Sequence, residues 1–64
     1  MKIATQQEYI VAVNKGGRDK RIMTSKQSQT VIWSDCGTEV AEKTAVFKRG
    51  KVVSTDYMVN EKYL

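Results

Sequence analysis

The fold is decided by residues 29–59, QTVIWSDCGTEVAEKTAVFKRGKVVSTDYMV. Gly37 and Gly50 divide this stretch into three segments rich in Val, Ile, Thr and aromatic residues, a composition that favours β-strands. The pattern therefore predicts strands over residues 29–34, 38–48 and 51–59. The predicted fold class is mostly β, either a small antiparallel meander or a five-stranded barrel-like sheet.

The first turn of this stretch is predicted to be a three-residue hairpin loop, Asp35-Cys36-Gly37. Gly37 would take the left-handed backbone conformation that such a loop requires at its last position. This loop length pairs Ile32 with Val40.

The second turn is predicted to be the two-residue loop Arg49-Gly50. It pairs Val46 with Val53 and sets Lys43 opposite Asp56, and opposite charges on facing residues stabilise a sheet. Combining the two turns gives one face with Val31, Trp33, Ala41, Ala45, Phe47, Val52 and Met58, and another with Ile32, Val40, Val46, Val53, Tyr57 and Val59.

An alternative interpretation makes residues 38–49 a helix. Thr38 would be its N-cap, Gly50 would follow its last turn, and Glu39 and Lys43 have the i,i+4 spacing of a helical ion pair. The fold class would then be α+β, with this helix packed on the sheet.

The N-terminal part is predicted to add strands over residues 8–14 and 20–24, joined by a loop at Gly16-Gly17. Thr5-x-x-Glu8 spells a helix capping box, but β-branched residues dominate the run that follows, which favours a strand. Residues 60–64 are expected to be loose unless Tyr63 and Leu64 dock. The expected core is Val11, Val13, Ile32, Trp33, Val46, Phe47 and Val53.

The 64 residues carry a net charge of +4 and are expected to form a single small domain, 1–64. Residues 15–26 account for all of that charge in sequence, since they hold five bases and one acid. Basic residues around glycines are typical of loops that contact phosphates, although the same composition also suits a solvated hairpin tip. The candidate nucleic-acid-binding residues are Lys15, Arg18, Lys20, Arg21, Lys26, Lys48, Arg49 and Lys51.

Catalysis is not expected. The chain has no histidine and one cysteine, Cys36, whose nearest charges in sequence are the acids Asp35 and Glu39, so nothing activates the thiol. No zinc or disulfide pattern is present, and no cofactor is expected. Trp33 is interpreted as a core residue rather than a base-stacking platform. A lone cysteine and the lack of a signal peptide or membrane-spanning run indicate a cytoplasmic protein that does not bind membranes.

These features predict a small, basic, non-enzymatic module that binds nucleic acid mainly through phosphate contacts. The alternative is a small protein-binding regulator or inhibitor of the kind found in phages and mobile elements. It would contact a larger, acidic protein through an apolar sheet face or a strand edge, and either form could act as a homodimer. An aromatic residue beside the basic tips would favour nucleic acid, whereas an exposed apolar patch elsewhere would favour a protein.

Overall fold

Three consecutive hairpins build most of the sheet. The computed structural model describes all 64 residues. The elements are β1 (Lys2–Ala4), α1 (Gln6–Gly16), β2 (Asp19–Thr24), β3 (Ser28–Asp35), β4 (Thr38–Lys48), β5 (Lys51–Val59) and a 3₁₀ turn (Glu61–Tyr63). All neighbouring strands are antiparallel, in the order β1-β5-β4-β3-β2. The mostly β meander is confirmed; it is an open sheet with one helix packed on it, because β1 and β2 form separate edges.

The helix lies where the sequence predicted the first strand, so the strand over residues 8–14 is wrong. The capping box outweighs the β-branched run: Glu8 N donates to Thr5 Oγ1 over 3.2 Å, and Thr5 N donates to Glu8 Oε1 over 3.0 Å. The half-buried and buried residues Tyr9, Ala12, Val13 and Gly16 recur at helical spacing and face the sheet. The alternative helix over residues 38–49 is also wrong, since this segment is β4.

The two turns differ in how well they were predicted. Arg49-Gly50 is a two-residue turn as expected, with positive φ at both residues, 54° and 77°. Cys36-Gly37 is also a two-residue turn, with φ of 50° and 85°, so the three-residue loop is wrong. Asp35 pairs with Thr38 across it. Two residues of positive φ match the right-handed twist of the flanking strands.

Two β-bulges then shift the strand registers. The extra residue in β4 is Val40, since Ser34 pairs with Glu39 but Trp33 pairs with Ala41. Ile32 consequently faces Glu42 and not Val40.

Val53 is the extra residue in β5, because Val46 pairs with Ser54 and not with Val53. The predicted Lys43–Asp56 pair is replaced by Lys43–Tyr57. A one-residue shift exchanges the two faces of a strand. Tyr57 and Val59 therefore lie on the same face as Trp33 and Ala41, beneath α1, while Met58 lies on the opposite face.

The core sits between α1 and the middle of the sheet. Its fully buried side chains are Ala12, Val40, Ala41 and Val59, with Ala4, Tyr9, Val13, Trp33 and Tyr63 packed around them. The predicted core is wrong for Val11 and Val53, which are 38% and 58% exposed; the other five predicted residues are half-buried. The C-terminal segment is not loose, since the Tyr63 ring packs against Gly16.

The helix covers only part of one face. Its 11 residues span about 16 Å, whereas the 11 residues of β4 span about 36 Å. The other side of the sheet is covered by no element; we call it the open face. The side chains of β4 that belong to this face follow from the register and the bulge at Val40. They are Glu39, Glu42, Thr44, Val46 and Lys48.

Candidate nucleic-acid interface

Four basic residues meet at one end of the sheet. Lys48, Arg49 and Lys51 form the β4–β5 turn, and Lys26 lies in the connection between β2 and β3. The connection reaches the same end because Phe47 N donates to Gln27 O over 2.7 Å. We call these four residues the basic tip.

The basic tip accounts for the net charge of the folded protein. Of the 11 basic residues, four belong to the tip, and the remaining seven balance the seven acidic residues, all of which lie elsewhere. Both ion pairs of the protein, Lys2–Glu8 and Arg18–Asp35, are also outside the tip. The charge that the sequence concentrated in residues 15–26 is therefore redistributed by folding, and only Lys26 of that segment joins the tip.

Two features of the basic tip lower the stability of the fold. Lys48 and Lys51 are directly opposite each other across the hairpin, and like charges at facing positions destabilise a sheet by up to about 1 kcal/mol. Arg49 holds a φ of 54°, in the left-handed region where residues other than glycine are uncommon. All four cations are exposed, so their charge is available to a partner.

An apolar surface adjoins these cations. Phe47 pairs with Val52 one position inside the Lys48–Lys51 pair, and Val52 and Val53 are 56% and 58% exposed. A shallow depression of about 410 Å³ is lined by Lys48, Arg49, Lys51 and Val53. The sequence analysis did not predict Phe47 as part of the site. Its position directly before the Lys-Arg-Gly-Lys turn is the feature of the sequence that could have indicated it.

The other predicted basic residues lie at the opposite end, near the Cys36-Gly37 turn. Arg18 Nε is 3.4 Å from Asp35 Oδ1, and Lys20 Nζ lies 5.4 Å from the centroid of the Trp33 ring. Lys20 and Arg21 are consecutive in β2 and point to opposite faces. At about 3.3 Å per residue, β4 separates this end from the basic tip by about 30 Å. Lys20 and Arg21 line one depression together with the acids Asp19 and Glu39, and none of Lys15, Arg18, Lys20 and Arg21 is joined to the tip.

Trp33 is part of an internal aromatic cluster rather than a stacking platform. Its Nε1 donates to Tyr9 Oη over 2.8 Å, and the Tyr9 and Tyr57 ring centroids are 5.1 Å apart. Burial raises the pKa of Tyr9, partly offset by the hydrogen bond from Trp33. These aromatic contacts fasten α1 to the sheet, and Lys20 lies over the Trp33 ring.

The geometry offers little for metal or covalent chemistry. Cys36 is an exposed free thiol in a turn, and no three His, Cys, Asp or Glu side chains are grouped as metal ligands. The single α-helix, at 11 residues, lacks the length and apolar character needed to cross a membrane.

Comparison with protein-family models, with curated proteins and with solved structures found no match to this chain.

Proposed function

We propose that the protein is a non-enzymatic nucleic-acid-binding module that contacts phosphates through the basic tip. The observation that carries this proposal is the charge distribution: the tip holds four cations, no acid and no ion pair, while the rest of the chain is neutral. An excess of unpaired Lys and Arg at one surface is the electrostatic signature of a phosphate-binding site.

The mode of binding follows from the shape of the tip. The cations lie on a narrow turn and a neighbouring loop, and the depression between them is shallow, so they reach phosphates without enclosing a base. Phosphate contacts position a protein on nucleic acid but do not read its sequence. We therefore propose binding with little sequence preference, driven by counterion release and strongly dependent on salt. A cytoplasmic location, where nucleic acid is present and an exposed thiol such as Cys36 stays reduced, is part of this proposal.

The test compares two triple variants that remove the same charge from opposite ends. Lys26→Ala/Lys48→Ala/Lys51→Ala changes the tip and leaves the positive φ of Arg49 untouched; Arg18→Ala/Lys20→Ala/Arg21→Ala is the matched control. Binding to a short oligonucleotide is measured at several salt concentrations. The tip variant should lower the slope of log affinity against log salt by about 2–3 units, at roughly 0.7–0.9 per phosphate contact, and the control should retain most of it.

The outcomes of this comparison show which end of the sheet binds nucleic acid. A larger loss in the control would move the site to the opposite end of the sheet. Equal binding by wild type and the tip variant would contradict the proposal. Absence of binding by wild type even at low salt would contradict it as well.

A protein-binding regulator remains the second candidate, because β2 is an open edge. All six of its residues are exposed, and it has no partner on its outer side. Such an edge can accept an additional strand from another protein. One dominant protein captured from nuclease-treated lysate, and lost when the edge is blocked by Ile22→Pro, would favour this function. Capture that disappears with nuclease treatment would favour the basic tip.

A further inference from the structure

We propose that the open face is the interface of a two-fold symmetric homodimer, in which the basic tip of each copy packs over the end of the other open face that carries Asp19 and Glu39. This proposal concerns the protein free of nucleic acid, because the tip residues Lys48 and Lys51 serve both this contact and the proposed phosphate contact. It rests on how charge and apolar side chains are arranged along the open face.

The open face carries opposite charges at its two ends. Asp19, Ser34 and Glu39 are paired in register at the Cys36 end. They line a depression of about 270 Å³ together with the basic residues Lys20 and Arg21, of which Lys20 belongs to the helix side of β2. Lys48 and Lys51 project from the same face at the tip end, as the alternation from Val46 requires. Arg21 and Asp56 are exceptions to this polarity, and both lie on strand edges that no neighbouring strand covers.

The central rows of the open face combine apolar side chains with three charged residues, Arg21, Glu42 and Asp56; Arg21 pairs with Ile32 and Asp56 with Thr44. Ile32 and Met58 flank Glu42 in one cross-strand row, and Ile3 continues that row at the β1 edge with 86% of its surface exposed. Met23 and Val46 lie in the next rows towards the tip. Near the midpoint, the Thr30 and Thr44 hydroxyl oxygens are 3.4 Å apart.

A second copy is the occupant that this arrangement fits. Let the two-fold axis lie between the two open faces, near Thr30 and Thr44, and run across the strands. The strands of the two copies then point in opposite directions, and each tip reaches the other copy's Asp19 and Glu39. The self-complementary polarity is what an isologous interface requires. Any parallel stacking would instead set the two tips against each other, at a distance where charges of like sign repel.

Size supports association as well. The chain buries only four hydrophobic side chains completely and exposes 4609 Å², against about 4,200 Å² for a typical monomer of 7.3 kDa. Without the short edge strand β1, the open face spans the four strands β2–β5, about 19 Å, by about 30 Å. Two such faces would bury roughly 1,100 Å² in total, which is at the lower end of specific interfaces and implies a weak, reversible dimer.

The experiment uses a pair of neighbouring residues with equal exposure on opposite faces. Met23 lies on the open face and Ile22 on the helix side, and each is 49% exposed. Sedimentation equilibrium of the nucleic-acid-free protein, up to about 1 mM, should show a dimer for wild type and Ile22→Glu and a monomer for Met23→Glu. The wild-type dimer should dissociate as salt is raised. Far-UV circular dichroism verifies that each variant is folded.

A charge exchange tests the predicted contact directly. Glu39→Lys and Lys48→Glu should each weaken the dimer at least tenfold, and the double variant should recover most of the loss. The proposal would be overturned if wild type were monomeric at every concentration, or if Ile22→Glu but not Met23→Glu dissociated the dimer. It would also be overturned if the double variant did not regain dimer affinity. Dissociation by both Ile22→Glu and Met23→Glu would assign the contact to the β2 edge and would also overturn it.

Discussion

Gly17 lies where the end of α1 meets the sheet, and the lack of a side chain allows the two to approach closely. A Cβ at this position would lie 2.8 Å from Val13 O and 3.0 Å from Trp33 Cε3. The Gly17 N–H donates to Val13 O over 2.8 Å, which ends the helix. The glycine pair at residues 16–17 therefore serves internal packing, not the approach of a ligand to a loop.

Gly17→Ala should destabilise the protein by about 1–3 kcal/mol, the usual cost of forcing extra atoms into a packed site. The measurement is urea unfolding followed by Trp33 fluorescence, which reports on the contact itself. Asn14→Ala, at an exposed position of α1, is the control and should change stability by no more than about 0.5 kcal/mol. Equal effects in the two variants would mean that Gly17 is not tightly packed.

At the level of elements, α1 depends on its first turn. The hydrogen bond from Thr5 N lowers the pKa of Glu8, burial opposes this shift, and Lys2, whose Nζ is 3.7 Å from Glu8 Oε2, adds to the lowering. A group whose pKa is lowered by folding stabilises the folded state while it is ionised. Its contribution is present above the ordinary value of 4.5 and is lost as pH falls through the lowered value.

Glu8→Gln should therefore flatten the pH dependence of the melting temperature below pH 4.5. Glutamine retains the capping-box acceptor but does not titrate. Wild type should be the more stable protein near neutral pH, and the difference should shrink on acidification. Thr5→Ala, which removes the cap at every pH, should cost about 1 kcal/mol throughout. A constant difference between wild type and Glu8→Gln across the pH range would contradict this role.

The sequence predicted the elements that depend on local signals. The strands over residues 38–48 and 51–59 and the Arg49-Gly50 turn match the structure, since alternating β-formers and a turn glycine suffice to specify them. The sequence pattern does not predict the helix because the β-branched residues Ile10 and Val11 favour a strand. Each such residue costs a helix at most about 0.7 kcal/mol, which the capping box and the packing of α1 on the sheet outweigh.

The bulges could not be predicted in the same way, because they depend on distant contacts. Asn60 N donates to Val40 O over 2.9 Å, and Asn60 Nδ2 donates to Glu39 O over 3.0 Å, so the carbonyls left free by the first bulge are satisfied from beyond β5. For the same reason, the sequence identified all four tip residues as candidates but did not separate them from the four basic residues 30 Å away.

At the scale of the whole molecule, stability and charge oppose each other at the tip. Lys51→Glu converts the like-charged pair with Lys48 into an opposite-charged pair. It should stabilise the fold by a few tenths to about 1 kcal/mol, which corresponds to a rise of up to roughly 4–8 °C in melting temperature for a domain of this size. The same change should weaken oligonucleotide binding. Melting curves at low and high salt provide the check, since the gain should diminish as salt screens the pair; a lower melting temperature would mean that the two lysines do not repel.

The pairing of β1 with β5 joins segments from opposite ends of the chain, Lys2 with Val59 and Ala4 with Tyr57. During synthesis on the ribosome, β1 emerges before the other strands of the sheet and has no neighbour until β5 has left the exit tunnel. The β2–β5 hairpins, in contrast, form between consecutive segments and close quickly. The sheet therefore remains incomplete until β5 has emerged, and until then Ile3 lacks its pairing with Met58.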